Sequence, residues 1–303
     1  MRRLLFLKNR YLLPWRWIAL FTLFVNPLFA EGESEGRSIM DKVISQHEFY
    51  PYVFEEQTMV LIDNSDNRNV RKLRRFSRVE GDGTVKYLLV FDNPAEIRGV
   101  VLLAVWEHSG NVQGEVYLPA FGDKMISASN YGGSSPFLDT DFAVADFTLG
   151  NLSDFIYKRQ SDVKINKLDC FVVDALPETN EIEQKTGYSQ RRHYIRQDNF
   201  FLVRTDYFDR RGRFFKKQTW HDLRKVGGNI WRANMVLMEN FKTKHKTLIK
   251  INRRVFSRDY VPAEMFTPDW LFKGKHLRNN EMPIFKNSLD SAEKNLDKFE
   301  DTP

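Results

Sequence analysis

The stretch 134-SSPFLDTDFAVADF-147 sets three aspartates, Asp139, Asp141 and Asp146, among Phe137, Leu138, Phe142, Val144 and Phe147. Carboxylates so spaced allow two readings. They could ligate calcium or form an acid/base pair. They could instead accept from backbone N–H groups where a loop turns onto a sheet. A calcium loop of the EF-hand kind needs further acceptors, a mid-loop glycine and a distant glutamate, and here Phe142, Val144 and Phe147 fill the intervening places. Spacing leaves a hydrolytic pair open, but no aromatic or polar subsite signal flanks it. The structural reading is the stronger, and the rest of the chain decides what it is structural for.

On both sides of this stretch the pattern is that of strands. Short β-rich runs at 57–62, 70–79, 85–91, 99–106 and 112–118 are separated by Asp63-Asn64, Gly81-Asp82-Gly83, Asn93-Pro94 and Ser109-Gly110-Asn111, which predicts an antiparallel meander. The rhythm resumes at 169–175, 191–196, 200–208, 214–221, 230–238 and 246–256. Asp209-Arg210-Arg211-Gly212 and Gly227-Gly228-Asn229 read as hairpin turns. Alternation assigns faces: Phe201, Val203 and Tyr207 oppose Arg204 and Asp206; Trp231, Ala233, Met235 and Leu237 oppose Arg232 and Asn234; Ile249, Ile251 and Val255 oppose Lys250, Asn252 and Arg254. One face is expected to be apolar and aromatic, the other basic. Helical spacing is confined to 38–49, with Ser38 as N-cap, to a short helix near 153–158, and to 288–299 in the polar tail.

Ten or eleven strands with few helices make a mainly β, α+β chain, read as one domain of roughly 240 residues. Such a sheet must curl to bury its apolar face. With 25 Phe in the chain, that face is either a packed core or the wall of a cavity for an apolar ligand.

Residues 1–30 stand apart. Arg2, Arg3, Lys8, Arg10 and Arg16 precede an apolar run over 18–29 and then Ala30, with no acidic residue, which is the form of a secretory signal cut after Ala30. An uncleaved anchor is the alternative, although the run falls short of the roughly 20 residues that span a bilayer. Without this segment, 41 Lys+Arg face 40 Asp+Glu (46 less five, against 40). A near-neutral mature chain is no nucleic-acid binder by charge. Charge is still uneven: residues 191–258 carry 19 basic and 5 acidic side chains, and 114–183 carry 5 and 12. The basic region suits anionic headgroups or an acidic partner, or merely a solvated strand face that resists edge pairing.

Cys170 is the sole cysteine, so an internal disulfide and a two-cysteine metal site are excluded. It reads as a small buried hydrophobe. His47, His108, His193, His221, His245 and His276 never fall at metal-ligand spacing, and no G-x-S-x-G, P-loop, G-x-G-x-x-G or H-E-x-x-H occurs in the mature chain. No catalytic residue, metal or cofactor is expected.

Taken together, YLLVFDNPAEIRGVVLLAVW (87–106), GEVYLPAFGDKMISAS (114–129), SSPFLDTDFAVADF (134–147) and PAEMFTPDWL (262–271) resemble the periplasmic outer-membrane lipoprotein-sorting family, the LolA-like proteins often associated with RND-type exporters. Tyr117 and Pro119 match a Tyr-Leu-Pro element, and Phe137, Asp141, Phe142 and Asp146 match a Phe-x-Gly-Ser-Asp-Phe-x-x-x-Asp signature. Asp139-Thr140 replaces its Gly-Ser, so Asp139 is an extra charge and any turn relying on glycine there is in question. The resemblance implies a curved antiparallel sheet forming an incomplete barrel with helices across its open apolar face. It divides the chain into a signal peptide (1–30), a lipid- or lipoprotein-binding domain (31–272) and a polar tail (273–303). It also implies a monomeric periplasmic carrier or accessory protein that shelters a lipid or lipoprotein acyl chain for transport between envelope membranes. The candidate lining is Met59, Leu61, Phe201, Val203, Tyr207, Trp231, Met235, Leu237, Ile249 and Ile251. The alternative is an adaptor that binds no lipid and docks to an RND-type inner-membrane exporter; a hydrolase using Asp139 and Asp141 comes last.

Overall fold

The computed structural model describes residues 27–47, 50–107, 112–122, 124–127, 136–147 and 152–277. Nearly all of the expected signal segment and the expected helix at 288–299 lie outside these residues. α1 (Pro27–His47) covers the expected helix and begins eleven residues before Ser38. The strands are β1 (Tyr52–Ile62), β2 (Arg68–Val79), β3 (Val85–Asn93), β4 (Val101–Trp106), β5 (Val112–Tyr117), β6 (Met125–Ser127), β7 (Phe155–Ile165), β8 (Leu168–Pro177), β9 (Gln190–Arg196), β10 (Leu202–Phe208), β11 (Phe214–Gly227), β12 (Ile230–Asn240) and β13 (His245–Val255). Short helices α2 (Val144–Phe147), α3 (Asn180–Thr186) and α4 (Pro268–Phe272) complete the regular elements used below.

All thirteen strands form one antiparallel sheet in the order β6-β5-β4-β3-β2-β1-β13-β12-β11-β10-β9-β8-β7. The chain enters at the centre, meanders to one edge and resumes at the other, returning until β13 pairs with β1 through Met59↔Ile249 and Leu61↔Thr247. The edge strands β6 and β7 do not pair, so the barrel stays open. This order has one topological consequence. The connection between β6 and β7 must carry the chain from edge to edge across a face, and it contains the 137–147 signature.

The sheet has an inner face, under α1 and this crossover, and an outer one. In β1 the inner residues Val53, Glu55, Gln57, Met59 and Leu61 are all buried, while Thr58 and Val60 between them are half-buried. Residues 257–277 pack on the outer face of β1–β5, where Tyr260, Val261, Met265, Phe266, Trp270 and Leu271 meet Phe54, Phe76, Leu88, Val90, Val101 and Leu103. β3 and β4 are therefore covered on both sides. That is why 87–91 and 100–106 are continuous apolar runs and not alternating ones. The outer face of β8–β12 carries ion pairs such as Arg192–Asp174, Arg204–Asp206 and Lys217–Glu239. Among the described residues no helix is long and apolar enough to cross a membrane.

Two expectations fail locally. The short helix at 153–158 is instead a 3-10 turn over Leu152–Asp154 leading into β7; Phe155 and Tyr157 alternate inward with Ile156 and Lys158 outward, and pairing with β8 decides. The inner face is not purely apolar either, because it buries charges.

Candidate functional site

The inner face holds one continuous apolar strip. Leu102, Leu89, Phe91, Leu73, Met59, Leu61, Ile249 and Met238 belong to one buried cluster. Of the candidate lining, Met59, Leu61, Tyr207 and Ile249 lie in it, and Ile251 packs against it. Met235 and Leu237 do not share that face. β12 pairs Met235 with Lys250 and Leu237 with Leu248, whereas Val236 is the partner of Ile249, and cross-strand partners point to the same side of a sheet. Trp231 shares their parity and lies outside, with the Arg196 guanidinium 5.6 Å from its ring. Phe201 is buried just ahead of β10, and Val203 falls at an irregularity where Leu202 and Arg204, not Val203, pair with β9. Val236 and Met238 take the places that Met235 and Leu237 were expected to hold.

Residues 136–147 lie over this strip. Phe137 and Phe142 insert into the cluster, the Phe137 ring centroid 6.1 Å from that of Phe91. Thr140 closes the turn between them by donating to the carbonyls of Phe137 at 2.8 Å and Phe142 at 3.1 Å. The backbone is left-handed at Leu138 (φ 49°) and Asp139 (φ 60°). The turn in question therefore forms without glycine: aspartate is among the residues that tolerate this region, and exposed Asp139 occupies it.

Asp141 and Asp146 fasten the segment to two different strands. The Asp141 amide donates to Thr247 Oγ1 at 2.9 Å, and that hydroxyl donates back to Oδ2 at 2.8 Å. His245 Nδ1 lies 2.6 Å from the same oxygen. Asp146 accepts from Ala143 N–H at 2.8 Å, from Lys216 Nζ at 2.7 Å and from the Tyr188 hydroxyl at 3.0 Å. Lys216 also donates to the Asp141 carbonyl at 3.2 Å and to Tyr188 Oη at 2.5 Å. The Lys216 and Asp146 side chains are 2% and 0% exposed, so this is a buried ion pair. Burial pulls the Lys216 pKa down against the opposing pull of Asp146. Burial pushes the Tyr188 and Tyr207 phenols well above their usual range. Asp146 satisfies a backbone donor as expected, the Asp141 carboxylate meets side chains instead, and the larger role of both is to meet side chains on β11 and β13.

A second charged group lies further along the inner face. Glu55, 3% exposed, accepts from Arg254 Nε at 2.6 Å and Arg75 Nη1 at 3.1 Å. Burial alone would raise its pKa; Arg75 and Arg254 outweigh burial and hold it at about 2. Burial, aided by Arg254 and Arg75, lowers the nearby Arg232 to about 10. His193 is held at about 3 by burial and then by Arg191, so it is neutral near pH 7. Among the described residues no three His, Cys, Asp or Glu side chains converge as a metal-ligand set.

The family signature is thus split between faces. Tyr117 is buried beneath Phe272 and His276 on the outer side. Pro119 sits beside Gly99, whose φ of 82° suits glycine and where a Cβ would come within 3.2 Å of the proline ring. Sequence reading missed Lys216, Tyr188, Thr247, His245 and the Glu55 group. Strand parity was the available signal: Lys216 alternates with Gln218, and Glu55 with Met59.

Known structures share this architecture. A putative outer membrane lipoprotein-sorting protein domain from Vibrio parahaemolyticus superposes with a TM-score of 0.72 at 21% identity, over 79% of this chain and 99% of that one. A DUF1329 family protein from Desulfovibrio piger gives 0.69 at 21%, over 78% and 99%. A LolA superfamily protein from Nitrosomonas europaea gives 0.61 at 16%, over 78% and 98%. At these identities the likeness is one of fold. No curated protein matches the chain. A family model described as "Uncharacterized protein" matches residues 83–273, more than half the chain, and the chain therefore belongs to that family, DUF1329.

Proposed function

We propose that this protein is a periplasmic carrier or accessory protein that shelters a lipid or lipoprotein acyl chain on its inner sheet face and moves it between envelope membranes. One observation supports this above the others: the apolar strip is roofed over its centre by an irregular segment held through side-chain polar contacts, not by strand pairing. A roof of that kind can be exchanged for a ligand without breaking the sheet. Burying an acyl chain returns about 0.8 kcal/mol per CH₂, so displacing Phe137 and Phe142 is offset by a chain of ordinary length.

Native mass spectrometry of protein purified from envelope extract tests the proposal. Co-purified acyl-bearing molecules, lost on delipidation and regained on incubation with lipid, are the expected result. A chain that emerges without ligand and takes up none would end it. The adaptor reading draws on a different observation: Phe137 and Phe142 are 0% and 2% exposed, so the strip is already filled by protein atoms. On that reading, reversing the charge of exposed Arg210, Arg211 and Arg213 in the β10–β11 turn abolishes co-purification with a membrane exporter while lipid binding stays undetectable.

A further inference from the structure

Lys216, Tyr207 and Arg191 stand in one row across β11, β10 and β9 on the inner face. Two are cations, and they are treated differently. Lys216 has Asp146. Arg191 has rings: its guanidinium carbon lies 5.0 Å from the centroid of Tyr188, 5.4 Å from Phe155 and 5.8 Å from Tyr207. Its Nε and Nη2 are buried, and among the described residues no atom accepts a hydrogen bond from either. Cation–π contacts offset part of this. They do not supply hydrogen-bond acceptors, and a buried donor without one is destabilising, the more so when it is charged.

The edge concerned is specific. Nε and Nη2 form the side of the guanidinium fork that takes a carboxylate or phosphate with two parallel bonds. Elsewhere in this chain the same edge does so repeatedly: Arg74 grips Asp92 at 2.8 and 2.7 Å, Arg192 grips Asp174 at 2.6 and 2.8 Å, and Arg204 grips Asp206 at 2.7 and 2.7 Å. At Arg191 this edge has no carboxylate. Asp146, the acid that shares Tyr188 with it, is taken by Lys216 and Tyr188. Small Ala175 is the β8 partner of Arg191, and Arg191 as a whole stays partly exposed.

Arg191 also lies at a seam. Phe155 belongs to the core beneath α1, and Tyr188 and Tyr207 to the core beneath the crossover. We propose that Arg191 is the anchor for the anionic head, a carboxylate or phosphate, of an amphiphile whose apolar tail runs beneath the crossover along the inner strip. This rests on the carrier reading above and names the ligand class: a charged head on an apolar chain, gripped bidentately among aromatic walls.

Ligands matched in tail and differing only in head test it on the full chain. Affinities are measured at pH 7.5 for palmitate against methyl palmitate, for palmitoyl lysophosphatidate against monopalmitoylglycerol, and for inorganic phosphate alone. The wild-type chain should prefer the charged member of at least one pair by tenfold or more; which pair it is separates carboxylate from phosphate. Arg191→Met should erase that preference while leaving the neutral ligand's affinity within about twofold, and Arg191→Lys should keep part of it. No preference in wild type, or an undiminished one in Arg191→Met, overturns the proposal and leaves the carrier reading standing. Binding of inorganic phosphate that needs Arg191, with no amphiphile bound, overturns both and leaves only an anion site at Arg191. No binding of any kind sinks both. Should Arg191→Met fail to fold, the wild-type ratios and Arg191→Lys decide.

Discussion

α1 and the crossover cover neighbouring parts of one sheet face by different physics. α1 lies along β7 by apolar contact, with Ile39, Met40 and Val43 packed on Phe155, Tyr157, Val173, Ala175 and Ile195, and its polar links to β7, Glu33–Lys158 and Glu35–Arg159, are at the surface. The crossover brings apolar Phe137 and Phe142, but its position is fixed by a buried ion pair and a carboxylate held between Thr247 and His245. A cover held by contact loosens gradually as its apolar area is exposed. One held by a few buried polar partners is either engaged or not, because a half-made buried network is worse than none. The crossover is thus the part of this fold suited to opening, and α1 the part suited to staying.

The sharpest way to break that contrast is to remove one partner of the buried pair. Lys216→Met leaves the Asp146 carboxylate with only the Tyr188 hydroxyl and Ala143 N–H, and stranding a buried charge costs about 3–5 kcal/mol. The double variant Lys216→Met/Asp146→Leu removes both charges and should recover most of the loss. Chemical denaturation of the purified chain measures both. A single-variant loss below about 1 kcal/mol would mean that the pair does not hold the crossover.

Acid should loosen the sheet itself, through Glu55 and His193 on its inner face. Glu55 is held at about 2 against an ordinary 4.5, so the unfolded chain binds its proton first. Its contribution, about 3 kcal/mol by proton linkage, is complete above pH 4.5 and is lost as pH falls towards 2. His193, held at about 3 against 6.5, has the same sign at higher pH: the unfolded imidazole charges while the folded one resists, so stability declines from about pH 6.5 downward. Thermal melts from pH 8 to 3 should therefore begin to fall near pH 6.5 and fall more steeply below 4.5, where the Glu55 loss is added; His193→Gln should flatten the stage above pH 4.5 and leave only the Glu55 share of the slope below it. A flat wild-type profile from pH 6.5 to 4.5 would refute the assignment to His193.

The strand list was legible because alternation and turn residues agreed through most of the chain. Legibility failed where a pattern supports two answers. β12 reads Met235-Val236-Leu237-Met238, four apolar residues in a row, so alternation cannot say which pair faces inward; only pairing with Ile249 and Lys250 does. β7 begins after Ser153, a helix-start signal that distant pairing with β8 overrides. In QRRHYIR at 190–196 three arginines and a histidine read as a basic outer run. Parity with buried Ile195 puts Arg191 and His193 inside and Arg192 outside, a distinction carried in the letters and obscured by composition. Asp141 and Asp146 were recognisable as fasteners, but their partners lie 104 to 106 and 70 residues away, beyond the reach of any local pattern.

The contact-held cover has its own sensitive point. A Cβ on Gly36 would fall 2.6 Å from the Tyr157 carbonyl oxygen and 3.1 Å from the Arg159 nitrogen, both backbone atoms of β7 that cannot swing aside. Gly36→Ala gains up to about 1 kcal/mol of helix propensity and incurs overpacking of about 1–3 kcal/mol, so a net loss near 1 kcal/mol is expected. The contrast predicts where that loss appears. Amide exchange should quicken in α1 and β7 while the 137–147 amides keep their protection; equal quickening in both would show that the two covers move as one.

The smallest effect concerns the residue that departs from the family signature. Asp139 is exposed and holds φ 60° where relatives are expected to have glycine, and it attracts Arg71, which also donates to the Leu138 carbonyl. If its role is conformational, Asp139→Asn should be neutral within about 0.5 kcal/mol, because asparagine tolerates the left-handed region, while Asp139→Ala should cost about 1 kcal/mol. If the attraction to Arg71 matters more, asparagine and alanine should lose alike. Asp139→Gly then separates backbone relief from chain entropy, with an expected change near zero since the two oppose each other. Whichever ordering denaturation returns, these variants touch only the turn that leads Phe137 into the strip. A loss larger than that of Gly36→Ala would place the weak point of the roof in its backbone and not in its buried charges.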